Sequence, residues 1–251
     1  MEFKEEFLER LKNARSVVFF TGAGISAESG IPTFRGNEGL WKKFRPEELA
    51  NFDAFIRNPD LVWEWYQYRR KIVEEAKPNK GHLAIAEMEN YFEDVSVITQ
   101  NVDNLHSRAG STKIFELHGN IERNYCIDCK TFYTHEELNE AGGVPKCKLC
   151  GGLIRPDVVW FGEPLPQNVF SSAERAARKS DVCFVVGTSA VVYPAAYIPD
   201  SAKSGGSYVV EVNIEPTDLS YRVDYSITGK AGEILPAVLE EVKKLKTKES
   251  K

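Results

Sequence analysis

The sequence predicts an α/β fold, a doubly wound parallel sheet with a smaller lobe inserted into it. Three observations carry that expectation. Short runs rich in Val, Ile and Phe recur at residues 17–20, 95–99, 182–186 and 208–212. Their unbroken apolar character suits strands covered on both faces. Amphipathic stretches at 83–91, 169–179 and 195–203 separate these runs, and such alternation marks a parallel sheet flanked by helices. Two regions break the pattern: 46–76 is helical without a strand, and 126–150 is polar and framed by cysteines. Both are expected in the inserted lobe, with a ligand cleft between the lobes.

Each element follows in order. Phe3, Phe7, Leu8 and Leu11 share one helical face, and Arg15-Ser16 leads into the first strand. Thr21-Gly22-Ala23-Gly24-Ile25-Ser26 comes directly after it, where α/β folds turn backbone N–H groups toward phosphates. Glycine permits the tight turn and the close approach of a pyrophosphate. Gly30 comes six residues after Gly24 instead of three, so this is not the usual dinucleotide fingerprint. A bare strand-to-helix turn stays open on this motif alone. Gly30-Ile31-Pro32-Thr33-Phe34-Arg35-Gly36 is stiff at Pro32 and loose at its glycines, as expected of a loop folding over a ligand. On the helix expected at 60–75, Tyr66 and Arg69 share a face.

After the strand ending at Thr99, Gln100-Asn101-Val102-Asp103-Asn104-Leu105-His106 sets amides and a carboxylate where open sheets bind ligands. A helix N-cap by Asn101 or Asp103 accounts for one of these residues but not for the set. A strand at 113–117 puts His118 and Gly119 at another strand end. Gly187-Thr188-Ser189 and Asn213-Ile214-Glu215 repeat the pattern, and Asn213 or Glu215 suits a ribose diol. The last helix, 233–245, covers one face and ends in a lysine-rich tail. His82 and His135 read as surface or structural groups, and His106 as one that orients its neighbours.

Composition excludes several classes. The 251 residues are 42% hydrophobic and 27% charged, which fits a globular chain and neither a disordered nor a fibrous one. A formal net charge of -5 gives no global reason to bind nucleic acid or an anionic membrane. No apolar run is long enough to cross a bilayer, and the charged N-terminus lacks a signal peptide's apolar stretch. A cytoplasmic protein is expected.

Cys126/Cys129 and Cys147/Cys150, with 17 residues between the pairs, have the spacing of a four-thiolate zinc site. A redox dithiol is the alternative. Four thiolates leave no position for water or substrate, so the metal is expected to be structural. Across 126–150, Lys130, Lys146 and Lys148 stand against Asp128, Glu136, Glu137 and Glu140, a balance poor for gripping phosphates. Cys183 reads as a small buried hydrophobe.

Taken together, Gly22-Ala23-Gly24-Ile25-Ser26 with Gly30-Ile31-Pro32-Thr33-Phe34-Arg35, Thr99-Gln100-Asn101-Val102-Asp103, Leu117-His118-Gly119, the four cysteines, Val159-Trp160-Phe161-Gly162-Glu163, Gly187-Thr188-Ser189 and Val212-Asn213 resemble the sirtuin family of NAD-dependent protein-lysine deacylases. The resemblance spans roughly residues 15–240. It implies a Rossmann-like NAD-binding domain formed by 1–36, 81–120 and 157–251. The small lobe would comprise a helical module, 37–80, and a zinc-binding module, 121–156, with an acyl-lysine peptide threading the cleft. It further implies Gly22, Ala23, Gly24 and Arg35 around the phosphates, Phe34 shielding the nicotinamide ribose, and Gln100, Asn101 and Asp103 holding the nicotinamide and its ribose. Ser189, Asn213 and Glu215 would contact the adenosine half, with Ala231 meeting the adenine through its backbone. Ser26, Thr33, Trp41, Gly187, Thr188 and Ile214 complete the implied cofactor contacts. Val159, Phe161, Gly162 and Glu163 would pair with the peptide as an added strand.

The implied chemistry suits these groups. An amide oxygen is a feeble nucleophile, so its partner must be activated, and loss of nicotinamide leaves an electron-poor anomeric carbon for the acyl oxygen to attack. His118 would be the general base toward a ribose hydroxyl, a proton transfer suited to a neutral imidazole, whose ordinary pKa is near ~6.5, with Asn101 also catalytic. The implied products are nicotinamide, free lysine and O-acyl-ADP-ribose.

The acyl group has its own signal. The residues three and four positions from Arg69 are Trp65, Tyr66, Ile72 and Val73, none acidic, whereas Arg70 has Glu74. A guanidinium among aromatic side chains suits bidentate capture of a ligand carboxylate, the alternative being an arginine that reaches solvent or pairs at a distance. The Tyr-x-x-Arg pattern looks like that of sirtuins acting on succinyl- and malonyl-lysine, with Ala50 matching their small residue and Thr33 standing where many sirtuins carry Asp. Acidic acyl removal alongside deacetylation is therefore expected. A zinc-ribbon interaction module leaves the strand-end clusters without a task, and the glycine spacing argues against a dehydrogenase. A mono-ADP-ribosyltransferase stays open, distinguished by its product.

Overall fold

The computed structural model describes residues 1–33, 46–138 and 143–247. In chain order, α1 (Glu5–Asn13) leads into β1 (Ser16–Thr21) and the short α2 (Ala23–Ala27). Then follow α3 (Pro46–Leu49), α4 (Phe52–Arg57), α5 (Pro59–Glu75), α6 (Lys80–Met88), β2 (Asp94–Thr99) and α7 (Leu105–Ala109). Next come β3 (Ile114–Glu116), β4 (Gly119–Cys126), β5 (Phe132–Tyr133) and β6 (Ile154–Val158). The remaining elements are α8 (Gln167–Lys179), β7 (Val182–Val186), α9 (Ile198–Ser204), β8 (Tyr208–Asn213), β9 (Tyr225–Thr228) and α10 (Ala231–Thr247).

Six strands form one parallel sheet in the order β3-β2-β1-β7-β8-β9. The order reverses between β1 and β7, and open α/β sheets bind ligands outside the C-terminal strand ends at such a switch. Val17 and Phe19 pack one face with Phe7, Ile85 and Val238, while Val18 and Phe20 pack the other with Ala173, Ala177 and Ile198. Two-sided burial explains the continuous apolar runs, and each large side chain so buried contributes about 1.5–3 kcal/mol. The run at 182–186 is β7, and the other three apolar runs fall inside β1, β2 and β8. The edge strand β9 carried no such signal, because only Ile227 of its residues is buried. Among the described residues, no helix is long and apolar enough to cross a membrane.

The second sheet is antiparallel, β5-β4-β6, with a register shift between Asn120 and Asn124 of β4. The cysteine-framed segment, expected to be irregular, is thus anchored on paired strands. Beside it, Asn58 and Pro59 start α5 by side-chain capping and fixed backbone geometry, and Phe55, Val62, Tyr66, Ile121, Val158 and Trp160 share a separate core. Arg70, with Glu74 four residues on as a possible partner, is held differently. Its guanidinium is buried and donates to Ile121 O at 2.9 Å, Asn124 Oδ1 at 2.8 Å and Gln67. A helix-surface ion pair is worth only about 0.2–0.5 kcal/mol, so clipping α5 onto β4 prevails.

Candidate active site

The turns after β1 and β7 meet at the switch point. Gly24 N–H donates to Gly187 O at 2.8 Å and Gly22 N–H to Val186 O at 3.0 Å. A Cβ on Gly24 would lie 2.7 Å from Gly187 Cα, and one on Gly22 would lie 2.6 Å from Thr188 Cβ. Close packing of two strand ends therefore requires both glycines, quite apart from any pyrophosphate.

The polar residues of the neighbouring strand ends join this seam. Asn101 Nδ2 donates to Gly22 O at 3.0 Å and to Ser26 Oγ at 3.1 Å, and Ser26 Oγ donates to Asp103 Oδ2 at 2.7 Å. Asp103 Oδ1 accepts the Leu105 N–H at 3.0 Å, but the N-cap of α7 is Asn104, so neither Asn101 nor Asp103 takes the N-cap position expected of one of them. Gln100 Nε2 donates to Thr188 Oγ1 at 2.9 Å, and Asn213 Nδ2 to Thr188 O at 3.2 Å. The ends of β1, β2, β7 and β8 are thus tied together. Thr21 and Thr99, in register on adjacent strands, hydrogen-bond at 2.9 Å, and His106 Nε2 lies 3.0 Å from Thr21 Oγ1. Both threonines stand in the quoted motifs, but neither was given a role of its own, although each ends an apolar run.

The other expected cofactor residues divide by position. Ala23 opens α2, Thr33 is half-buried, and Ser189, Ile214 and Glu215 are exposed beyond β7 and β8. Ala231 is buried at the start of α10, its backbone against Gly81. Phe34, Arg35 and Trp41 lie outside the described residues.

His118 stands between β3 and β4 with Nδ1 2.9 Å from Gln100 O. A carbonyl only accepts, so Nδ1 carries the hydrogen, and the neutral ring keeps its lone pair on Nε2. Burial holds the His118 pKa below its ordinary value, so the ring is neutral at pH 7. His82 and His106 are also buried, which pulls His82 down to about 4 and His106 well below the usual range. His82 is therefore structural, never a surface group: with Asn79 it forms the cap of α6. Burial also raises the Asp103 carboxyl despite its hydrogen bond from Ser26.

The segment after β6 lies against His118. Val159 N–H donates to His118 O and Phe161 N–H to Ala50 O, each at 2.9 Å. Two donors expected to meet a peptide are therefore used within the chain. The Glu163 carboxylate also turns inward, accepting from Arg155 through both oxygens and from Trp160 N–H at 2.8 Å. Arg155 is 2% exposed, donates to Val158 O at 2.8 Å, and stacks 3.3 Å from the Trp160 ring centroid. Trp160 Nε1 in turn donates to Tyr66 Oη at 2.8 Å. Arg69 is buried with its guanidinium 4.9 Å from the Trp65 ring centroid and 5.9 Å from that of Tyr66. Burial lowers the Arg69 pKa and raises that of Tyr66. Arg155 and Trp160 were missed as site residues, because no local spacing signals that the Glu163 carboxylate turns back onto Arg155 or that the Trp160 indole reaches Tyr66.

The four paired cysteines converge. Their sulfurs lie within 4.8 Å of one another, with Cys126–Cys150 and Cys129–Cys147 each at 3.5 Å. Four sulfurs about 2.3 Å from a tetrahedral zinc stand roughly 3.8 Å apart, so the cluster fits that ion after small adjustments. The Tyr133 phenol, 3.1 Å from Cys147 Sγ, holds that thiol down to about 6, which favours the metal-binding thiolate. Cys183 is buried, and burial alone pushes its thiol up to about 12.

Comparison with known proteins agrees with this geometry. A protein named NAD-dependent protein deacylase 2 from Pyrobaculum aerophilum is 54% identical over 241 residues, covering 96% of each chain. A mutant Sir2 homologue solved with ADP-ribose is 46% identical with a TM-score of 0.93, covering 96% of this chain and 97% of that one. A Sir2 structure with a p53 peptide and NAD+ is 37% identical with a TM-score of 0.86, covering 96% and 98%. The Sir2 family model matches residues 22–194, and the chain belongs to the Sir2 family.

Proposed function

We propose that this chain removes acyl groups from lysine side chains of proteins or peptides, with NAD as co-substrate, giving nicotinamide, free lysine and O-acyl-ADP-ribose. The observation that carries this reading is a His118 ring whose Nδ1–H is held by Gln100 O, next in chain to Asn101 of the amide, carboxylate and hydroxyl groups tied together at the sheet's switch point, leaving Nε2 to accept a proton. The deacylase name of the Pyrobaculum relative and the ADP-ribose and NAD+ complexes of the structural neighbours support it. Bound NAD supplies an anomeric carbon that becomes electrophilic as nicotinamide departs.

The chain's own groups have separate tasks. Asn101, anchored on Gly22 O and Ser26, and Asp103, anchored on Ser26 and Leu105, present fixed polar groups to the nicotinamide half. Gly22, Ala23, Gly24, Gly187 and Thr188 form the floor of the cleft, with Ser189, Asn213, Ile214, Glu215 and Ala231 toward the adenosine half. His118 Nε2 takes a proton from a ribose hydroxyl, and its Nδ1–H, held by Gln100 O, keeps the ring oriented. Among the described residues, Val159 O and the Gly162 N–H and carbonyl have no hydrogen-bond partner in the chain, which favours an extended peptide docking there as an added strand. Zinc on Cys126, Cys129, Cys147 and Cys150 keeps the small lobe folded without taking part in the reaction. The division of the chain expected from its sequence, with 37–80 and 121–156 forming the smaller lobe, belongs to this reading.

Ala50, Tyr66 and Arg69 extend the reading to succinyl and malonyl groups, because a guanidinium beside a phenol binds a terminal carboxylate better than a methyl group. Incubation with NAD and acetyl-, malonyl- and succinyl-lysine peptides, with products identified by mass, tests both levels. O-acyl-ADP-ribose from any peptide is the expected result, with Arg69→Met cutting succinyl turnover far more than acetyl turnover. Absence of O-acyl-ADP-ribose from every peptide defeats the reaction assignment, and a succinyl preference untouched by Arg69→Met defeats the pocket.

A further inference from the structure

We propose that Trp160 is a specificity-positioning residue whose indole N–H sets the direction of the Tyr66 hydroxyl and so favours acidic acyl groups. This rests on the reading of Tyr66 and Arg69 as the acyl pocket. An indole N–H only donates, so at 2.8 Å from Tyr66 Oη it obliges the phenol oxygen to accept. The hydroxyl hydrogen must then leave in another direction. Tyr66 is 1% exposed, and among the described residues no acceptor meets that hydrogen. A buried donor without a partner is costly, and a carboxylate beside a guanidinium is the acceptor that relieves it best. An acetyl group offers no oxygen beyond its amide carbonyl.

The indole itself is locked. Trp160 is 2% exposed, packs against the Arg155 guanidinium at 3.3 Å and the Phe55 ring at 5.3 Å, and has its backbone N–H bound to Glu163. Its backbone belongs to the segment read as the peptide-binding strand, while its side chain reaches α5. One residue therefore links where the peptide lies to which acyl group it carries.

Trp160→Phe keeps an aromatic ring and removes the donor. The ratio of kcat/KM for a succinyl-lysine peptide to that for its acetyl counterpart should fall about tenfold, mainly through a higher KM for the succinyl peptide. Tyr66→Phe should produce a similar fall, and the double variant little more than either single one, because both remove the same oriented hydroxyl. Purely structural damage lowers both peptides together and leaves the ratio in place, which overturns the proposal. Additive losses in the double variant also overturn it. If the wild type shows no succinyl activity, the acyl-pocket reading fails and takes the selectivity claim with it. If the wild type is active on succinyl-lysine and Trp160→Phe preserves the ratio, the Trp160 claim alone fails.

Discussion

Glu163→Ala isolates the clamp that shapes the peptide-binding segment. In the wild type, Arg155 is 2% exposed and meets both Glu163 oxygens, while the Glu163 side chain is 26% exposed. The substitution leaves a buried guanidinium without its counter-charge, beside an Nε that already has no partner among the described residues. Breaking a buried pair from one side costs about 3–5 kcal/mol, and the partial exposure of Glu163 puts the expected loss near the lower figure. For a chain of this size each kcal/mol shifts Tm by about 2–4 °C, so a fall of roughly 6–12 °C is expected. Arg155→Met in the same background should recover part of it, because the stranded charge is then gone. Thermal and urea unfolding of the wild type, both single variants and the double variant measure the coupling, while the peptide KM reports on the segment's shape. A Glu163→Ala loss within about 0.5 kcal/mol, or strict additivity in the double variant, refutes the clamp.

Further predictions concern metal and protons. The purified protein should carry one zinc per chain, and Cys147→Ala should abolish metal retention, measured by elemental analysis together with loss of a cooperative unfolding transition; full zinc retention contradicts the four-thiolate site. His82, held down to about 4 by burial, stays neutral in the folded chain while the unfolded chain binds a proton below about 6.5. Its contribution to stability is therefore complete above about 6.5 and is lost as pH falls toward 4, to the extent of ~3 kcal/mol. Urea titrations at pH 7 and pH 4 should show a smaller acid loss in His82→Gln than in the wild type. For His118, only the neutral ring accepts a proton, so the acid limb of kcat/KM should fall below the pH expected of an unperturbed imidazole.

Much of this architecture was legible because strands buried on both faces must be apolar along their whole length, which made β1, β2, β7 and β8 visible. Edge strands lack that constraint, and β9, with one buried residue, was invisible. The site was legible where chemistry clusters in sequence: Gln100 to Asp103, His118 and the two cysteine pairs. It was hidden where distant side chains meet. Tyr66 and Trp160 are 94 positions apart, so no local spacing announces their hydrogen bond. Sequence cannot tell that the carboxylate of Glu163, expected as a peptide contact, turns back onto Arg155. For Gly22 and Gly24, expected around the phosphates, sequence also could not reveal that the contacts excluding a Cβ are the backbone of Gly187 and the side chain of Thr188.

In the proposed reaction, His118 Nε2 moves the proton that completes acyl transfer. NAD-dependent deacylation of an acyl-lysine peptide by His118→Ala, compared with wild type at pH 7.5 and normalised to folded protein, tests it most directly. The expected result is a fall of about 10²–10⁴-fold in the rate of O-acyl-ADP-ribose formation. A rate within a few-fold of wild type contradicts it.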